Sequence, residues 1–165
     1  MEQTREEAIK KLGELIKDVD VAMMVTMDNG IMHSRPMSTQ DTDFDGELWF
    51  FTNIKDHKIE EIEKDDRVNL SYSKPDDTIY VSVSGTVAVV RDQAKIDELW
   101  SPIYKAWFEG GKDDPNIALL RVTVERAEYW DYSAGMLVQL AGFIKSVVTG
   151  KKLEEDSENH KTVSL

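Results

Sequence analysis

The stretch TIYVSVSGTVAVV, residues 78–90, constrains the fold more than any other part of the chain. Ile79, Val81, Val83, Val87 and Val89 fall on one face, and Tyr80, Ser82, Ser84 and Thr86 on the other. A period of two sends successive side chains to opposite sides, so this run is a strand with one face buried. Gly85 interrupts it, where a bulge or the close approach of another backbone is the usual reason. One such strand needs partners, and the rest of the chain must supply them.

It does so in sequence order. VAMMVTM is followed by Asp28-Asn29-Gly30 and then by IMHSRPMSTQ, and Asn-Gly between two apolar runs predicts a tight hairpin. Asp45-Gly46 makes a second turn before ELWFFT, and RVNLSYS and NIALLRVTVERAEYWDY complete a set of six strands. Helices are predicted behind the capping pair Thr4 and Glu7, with Leu12, Leu15 and Ile16 inward, and from Asp56 with Ile59 and Ile62 inward. DQAKIDELW, PIYKAWF and a closing GMLVQLAGFIKSVV also read as helical. Six strands joined mainly by short turns predict a mainly β protein, an antiparallel, Greek-key-like barrel with helices packed outside. One domain is expected over 1–150, then a polar tail over 151–165 that ends in a short strand.

Charge and composition narrow the function. Against 20 Lys+Arg stand 32 Asp+Glu, a formal net charge of -12, which argues against nucleic acid as the main partner. Cysteine is absent, which removes thiol catalysis and zinc–thiolate sites and fits a cytoplasmic protein. No apolar run approaches the roughly 18 residues of a membrane span, and the charged N-terminal helix is no signal peptide.

The motif search is mostly negative. Asp41, Asp43, Asp45 and Gly46 begin like a calcium loop, but its closing glutamate position is Thr52. His33, His57 and His160 have no metal-ligand spacing, and no phosphate-binding glycine loop is present. His33 either lines a site beside Arg35 or is an ordinary half-exposed strand histidine. FFTNIKDHK, residues 50–58, is different: it gathers Lys55, His57 and Lys58 where a strand stops and a helix starts. Arg35, Lys58, the Thr52 hydroxyl and the free N–H groups of a helix start together suit a phosphate. The alternative is a solvated helix face with Lys58 paired to Glu61, and on spacing alone that is the commoner outcome. Trp107 with Phe108, and Tyr129 with Trp130, shift the balance, as aromatic walls beside a phosphate grip suit a nucleotide-like cofactor; core packing is their other fate.

HSRPM, LWFFTN with KDHK, SVSGTV, LWSPIYKAWFEGGKDDPN, AEYWD and VTGKK, taken in order, resemble the general stress protein family of the pyridoxamine 5'-phosphate oxidase-like split barrels. The resemblance spans Glu7 to about Lys152. It implies an FMN-binding split β-barrel and a homodimer with flavin in clefts at the subunit interface; FAD is the other candidate. It also implies that Arg35, Pro36, Met37, Ser38 and Thr39, then Phe51 and Thr52, then His57 and Lys58, hold the phosphate and ribityl chain. Trp130 would approach the ring from the other subunit, and Trp107 would lie near it.

The departures matter too. Past its tryptophan the oxidase pattern has an Arg and a His where this chain has Met136 and Val138, and the arm that grips pyridoxal phosphate is missing. The resemblance therefore implies a flavin-dependent oxidoreductase with an unidentified small substrate, and not a true pyridoxamine phosphate oxidase. The alternative is a flavin-binding or sensing protein without turnover. No side chain stands out as a catalytic acid or base.

Overall fold

A computed structural model describes residues 4–133 and 159–165. Helix α1 (Arg5–Ile16) starts at the predicted capping box, in which the Thr4 hydroxyl accepts from Glu7 N and the Glu7 carboxylate accepts from Thr4 N. Strands β1 (Val21–Asp28) and β2 (Ile31–Ser38) form the expected hairpin. Asn29 and Gly30 both take positive φ, 50° and 83°, as a two-residue turn matched to strand twist requires. Then follow β3 (Glu47–Asn53), α2 (His57–Lys64), β4 (Arg67–Lys74), β5 (Ile79–Val90), α3 (Gln93–Leu99), β6 (Ile117–Asp131) and β7 (His160–Ser164). PIYKAWF is not an α-helix: Pro102–Ala106 winds as a 3₁₀ turn instead. The expected closing helix over 135–148 lies outside the described residues.

All seven strands join one antiparallel sheet in the order β2-β1-β4-β5-β6-β3, with β7 also on β6. The predicted short C-terminal strand is thus β7. The 15-residue β6 serves two partners in turn along one edge, β3 against Ile117–Thr123 and β7 against Arg126–Trp130. Between them Glu125 is the extra residue of a bulge, where the register slips between Ser84 and Gly85. A Cβ at Gly85 would stand 2.0 Å from the Thr123 carbonyl oxygen, so glycine is what lets β6 bend there. The curled sheet brings its two ends, β2 and β3, near each other without pairing, which is the split-barrel architecture.

The interior follows the alternation. Val81, Val83 and Val87 are 2–4 % exposed and pack with Met24, Phe50, Leu70, Leu120 and Val122 against Leu12 and Leu15 of α1 and Ile59 and Ile62 of α2. Each such side chain contributes about 1.5–3 kcal/mol by leaving water. A second, smaller core forms outside the sheet, where α3 and the following turns lay Ile96, Leu99 and Phe108 over Ile117 and Leu119. Among the described residues no helix is long and apolar enough to cross a membrane.

Candidate functional site

Helix α2 rests on β1 and β5, and its first turn faces the β1–β2 hairpin and the end of β3. Asp56 is its N-cap, accepting from Lys58 N at 3.0 Å, and Asp56 Oδ2 also lies 2.8 Å from Lys58 Nζ. The Lys58 side chain is only 8 % exposed, and its ammonium donates to Thr52 Oγ1 at 3.0 Å. Lys58 therefore pairs with the cap and the strand end, and not with Glu61. Burial alone would push the Asp56 carboxyl up, but the hydrogen bonds and charge of Lys58, with Arg35 adding to them, bring it below its ordinary value. Arg35 thus acts on the same start of α2 as Lys58.

Glu61 is the centre of the arrangement, and its side chain is 1 % exposed. Its Oε2 accepts from Arg35 Nη2 at 2.6 Å and from the Thr26 hydroxyl, and Arg35 Nη1 donates to Thr26 Oγ1 at 2.8 Å. His33, on the same face of β2 as Arg35, places Nδ1 3.1 Å from Glu61 Oε1 and 2.9 Å from Arg35 Nη2. That nitrogen can donate to the first or accept from the second, but not both. Burial raises the Glu61 carboxyl, yet the hydrogen bonds from Thr26 and His33, then the Arg35 charge, hold it below its ordinary range.

The structure thus gathers Arg35, Thr52, His57 and Lys58 around one helix start. It spreads the other expected residues more widely. Met37 is buried in the main core, while Pro36 and Ser38 are exposed beside it on β2. The Thr39 hydroxyl donates to the Val19 carbonyl. Phe51 points away from Thr52 into the second core, its ring 4.5 Å from that of Tyr104. Trp107 is 63 % exposed, beside Tyr104. Trp130 stacks on His160 of β7 with ring centroids 4.8 Å apart and planes 11° from parallel, and His160 also lies 2.6 Å from Glu128.

Glu61 and Thr26 escaped the reading of the sequence. Thr26 looked like one more strand residue, and Glu61 like a helix-surface acid. The available signal was parity: Thr26 shares the buried face of β1 with Ala22 and Met24, where a hydroxyl needs a partner.

What can this constellation hold? Thr52 Oγ1 is buried and accepts from Lys58, and its own proton has no acceptor among the described residues. An idle buried donor beside the Lys58 ammonium at a helix start suits an oxygen of a phosphate group. The residues present therefore fit an anionic group, which Arg35, Thr52 and Lys58 would hold. Each cation is already balanced by a carboxylate, so an anion arriving here must compete with Asp56 and Glu61. Nearby, the outer face of the β1–β2 hairpin is apolar and open: Val21, Met23 and Met32 are 40–76 % exposed.

Comparison with known proteins gives the family and the fold. A family model described as pyridoxamine 5'-phosphate oxidase like matches residues 7–154. Protein bli-3 of Neurospora crassa is 30% identical over 169 residues, covering 93% of this chain and 81% of that protein. General stress protein 26 of Bacillus subtilis is 30% identical over 121 residues, covering 70% of this chain and 83% of its own. Among solved structures, a general stress FMN/FAD binding protein from Xanthomonas citri superposes with a TM-score of 0.68 at 33% identity, over 80% of this chain and 94% of that one. A structure described as a general stress protein 26 from Jannaschia sp. CCS1 gives a TM-score of 0.74 at 25% identity, over 97% and 99%. On residues 7–154, this chain belongs to the pyridoxamine 5'-phosphate oxidase-like family.

Proposed function

We propose that two copies of this chain hold FMN between them and use it as a redox cofactor toward a small molecule in the cytoplasm. FAD is the alternative cofactor, since the Xanthomonas citri relative is described as binding either flavin. The observation that carries the reading is the convergence of Arg35, the idle Thr52 hydroxyl and Lys58 at the start of α2. The open apolar outer face of β1 and β2, on the other side of the hairpin from Arg35, supports a second copy, because exposed apolar patches of this kind mark interaction surfaces. The flavin would supply the electron chemistry, and the protein its position and electrostatic setting. Arg35, Thr52 and Lys58 would fix the phosphate. With Met136 and Val138 in place of the oxidase cations, a phosphorylated B6 vitamer is not the expected substrate.

A second reading, flavin binding without turnover, draws on the acids of the site. Asp56 and Glu61 are both held below their ordinary values, so neither is a proton donor near neutral pH. One set of measurements separates the readings: titration with FMN and with riboflavin, sedimentation to weigh the complex, then NAD(P)H consumption with an electron acceptor. FMN binding well above riboflavin, one flavin per chain in a dimer, and steady consumption support the oxidoreductase. Binding without consumption selects the second reading, and no preference for the phosphate removes the site itself.

A further inference from the structure

The fold brings three donor atoms together where α2 meets the end of β1, although the sequence spaces them without any metal motif. His57 Nε2 lies 3.5 Å from Asp28 Oδ2 and 3.7 Å from Glu61 Oε1, and all three atoms fall within 4.8 Å of one another. These separations are too long for hydrogen bonds. The two distances from His57 Nε2 are close to what one cation imposes, since ligands about 2.0–2.2 Å from a metal at tetrahedral or octahedral angles stand roughly 3.0–3.6 Å apart; the two carboxylate oxygens would draw together from within 4.8 Å.

Each donor is also held from behind. Glu61 Oε2 is committed to Arg35 and Thr26, while Oε1 lies between His33 Nδ1 at 3.1 Å and His57 Nε2 at 3.7 Å. Asp28 Oδ1 accepts from Asn29 Nδ2 at 3.2 Å, which leaves Oδ2. His57 Nδ1 faces Glu60 Oε2 at 3.6 Å, one turn along the helix, a charge contact longer than a hydrogen bond that a metal on Nε2 would tighten. An outer carboxylate behind a histidine is the usual support of a metal ligand. The site also resolves the contest at His33: with Glu61 Oε1 engaged by a cation, His33 Nδ1 is free to accept from Arg35 at 2.9 Å.

We propose that Asp28, His57 and Glu61 form a site for a borderline divalent cation of the Zn²⁺, Co²⁺ or Ni²⁺ type, at the junction of the β1–β2 hairpin and α2. One imidazole and two carboxylates suit that class better than Ca²⁺ or Mg²⁺, which prefer all-oxygen shells. Three protein ligands leave a position for water, so the ion is exchangeable. The site takes His57 away from the phosphate grip and uses none of Arg35, Thr52 or Lys58 as a ligand, so it stands whether or not flavin binds.

The test uses the full chain, freed of metal by a chelator and without added flavin, titrated with Zn²⁺ by calorimetry and with Co²⁺ by visible absorption. One equivalent of each is expected, the Co²⁺ spectrum being erased by Zn²⁺. His57→Ala removes a ligand from a side chain that is 60 % exposed, so the fold tolerates it. Its Zn²⁺ affinity, and that of Asp28→Asn, should fall by more than the about 10–100-fold that loss of an outer-shell partner costs. Glu60→Gln should cost about tenfold. His160→Ala, which breaks the exposed His160–Glu128 pair, should leave the titration unchanged. Absence of Zn²⁺ binding would overturn the proposal. So would binding that survives both ligand substitutions in variants that melt like the parent, or binding that is lost with His160.

Discussion

Asp56→Asn should tighten FMN binding, an unusual direction for a substitution inside a proposed site. The reason is geometric. Asp56 Oδ2 sits 2.8 Å from Lys58 Nζ, the ammonium that a phosphate would engage. Two acceptors on one ammonium, each near that distance and at a tetrahedral angle, lie about 4–5 Å apart. Unit charges at that spacing repel by about 1 kcal/mol in water and about 4 kcal/mol at a protein surface of intermediate dielectric. The Asp56 side chain is 43 % exposed, so solvent screening moves the figure to the low end. Removing the charge should therefore strengthen binding by about 1–2 kcal/mol, roughly 5–30-fold in Kd. Asparagine caps a helix about as well as aspartate, so α2 should keep its start. Flavin fluorescence quenching at low ionic strength, with FMN and riboflavin in parallel, gives the answer. Riboflavin lacks the phosphate and should change by less than about twofold. Weaker FMN binding in the variant, or an equal gain for both flavins, would refute a phosphate seated at Lys58.

Three further outcomes test the fold beneath the site. Arg35→Ala leaves the Glu61 carboxylate buried without its main cation, and chemical denaturation should show a loss of about 3–5 kcal/mol; a loss under about 1 kcal/mol would mean that water reaches Glu61. Glu61 and Asp131 titrate below their ordinary values of 4.5 and 3.8: burial raises both, but hydrogen bonds from Thr26 and His33 at the first, and from Ser133 and Lys11 at the second, outweigh it. A depressed folded value means stability that is complete above those ordinary values and is lost as pH falls through the folded ones. Melting temperature should hold down to about pH 5 and then decline, less steeply in Glu61→Gln; an unchanged slope in that variant would remove Glu61 from the account. Gly85→Ala drives a Cβ to 2.0 Å from the Thr123 carbonyl oxygen and should cost more than about 2 kcal/mol in a thermal melt, whereas a neutral result would show that β6 can shift.

The framework was legible because it rests on local rules. The alternation around Val81 and Val83, the Asn29-Gly30 turn and the Thr4–Glu7 capping pair each act within a few residues, and each appears where the chain places it. Gly85 was legible as an interruption. That it answers a bulge at Glu125 depends on β6, some forty residues later. The candidate site was legible only as a list of cations. Lys58 pairs with Asp56, two positions back, and not with Glu61 as the solvated-face alternative had it, because the helix start turns its side chain toward Thr52. Glu61 reaches Thr26, 35 residues away, through a packing of α2 on β1 that no spacing reveals. Phe51 departs for a simpler reason: neighbouring strand residues point to opposite faces, so Phe51 and Thr52 cannot both face the helix start.

Why should a chain of net charge -12 place carboxylates against the cations of the proposed anion site? The side chains of Arg35 and Lys58 are 14 % and 8 % exposed. A charge that far from water cannot stand alone without costing several kcal/mol, so the protein must neutralise it from within. Glu61 does this for Arg35 and Asp56 for Lys58, at different strengths: Glu61 is itself buried and tied to Thr26, while Asp56 lies near solvent. An incoming phosphate would then displace the weaker partner and share Arg35 with the stronger. Recognition by exchange keeps the fold intact in both states and makes affinity depend on the carboxylate that leaves as much as on the cations that stay. If the proposed function holds, aspartate at position 56 would weaken the grip, which suits a cofactor that must be able to come off.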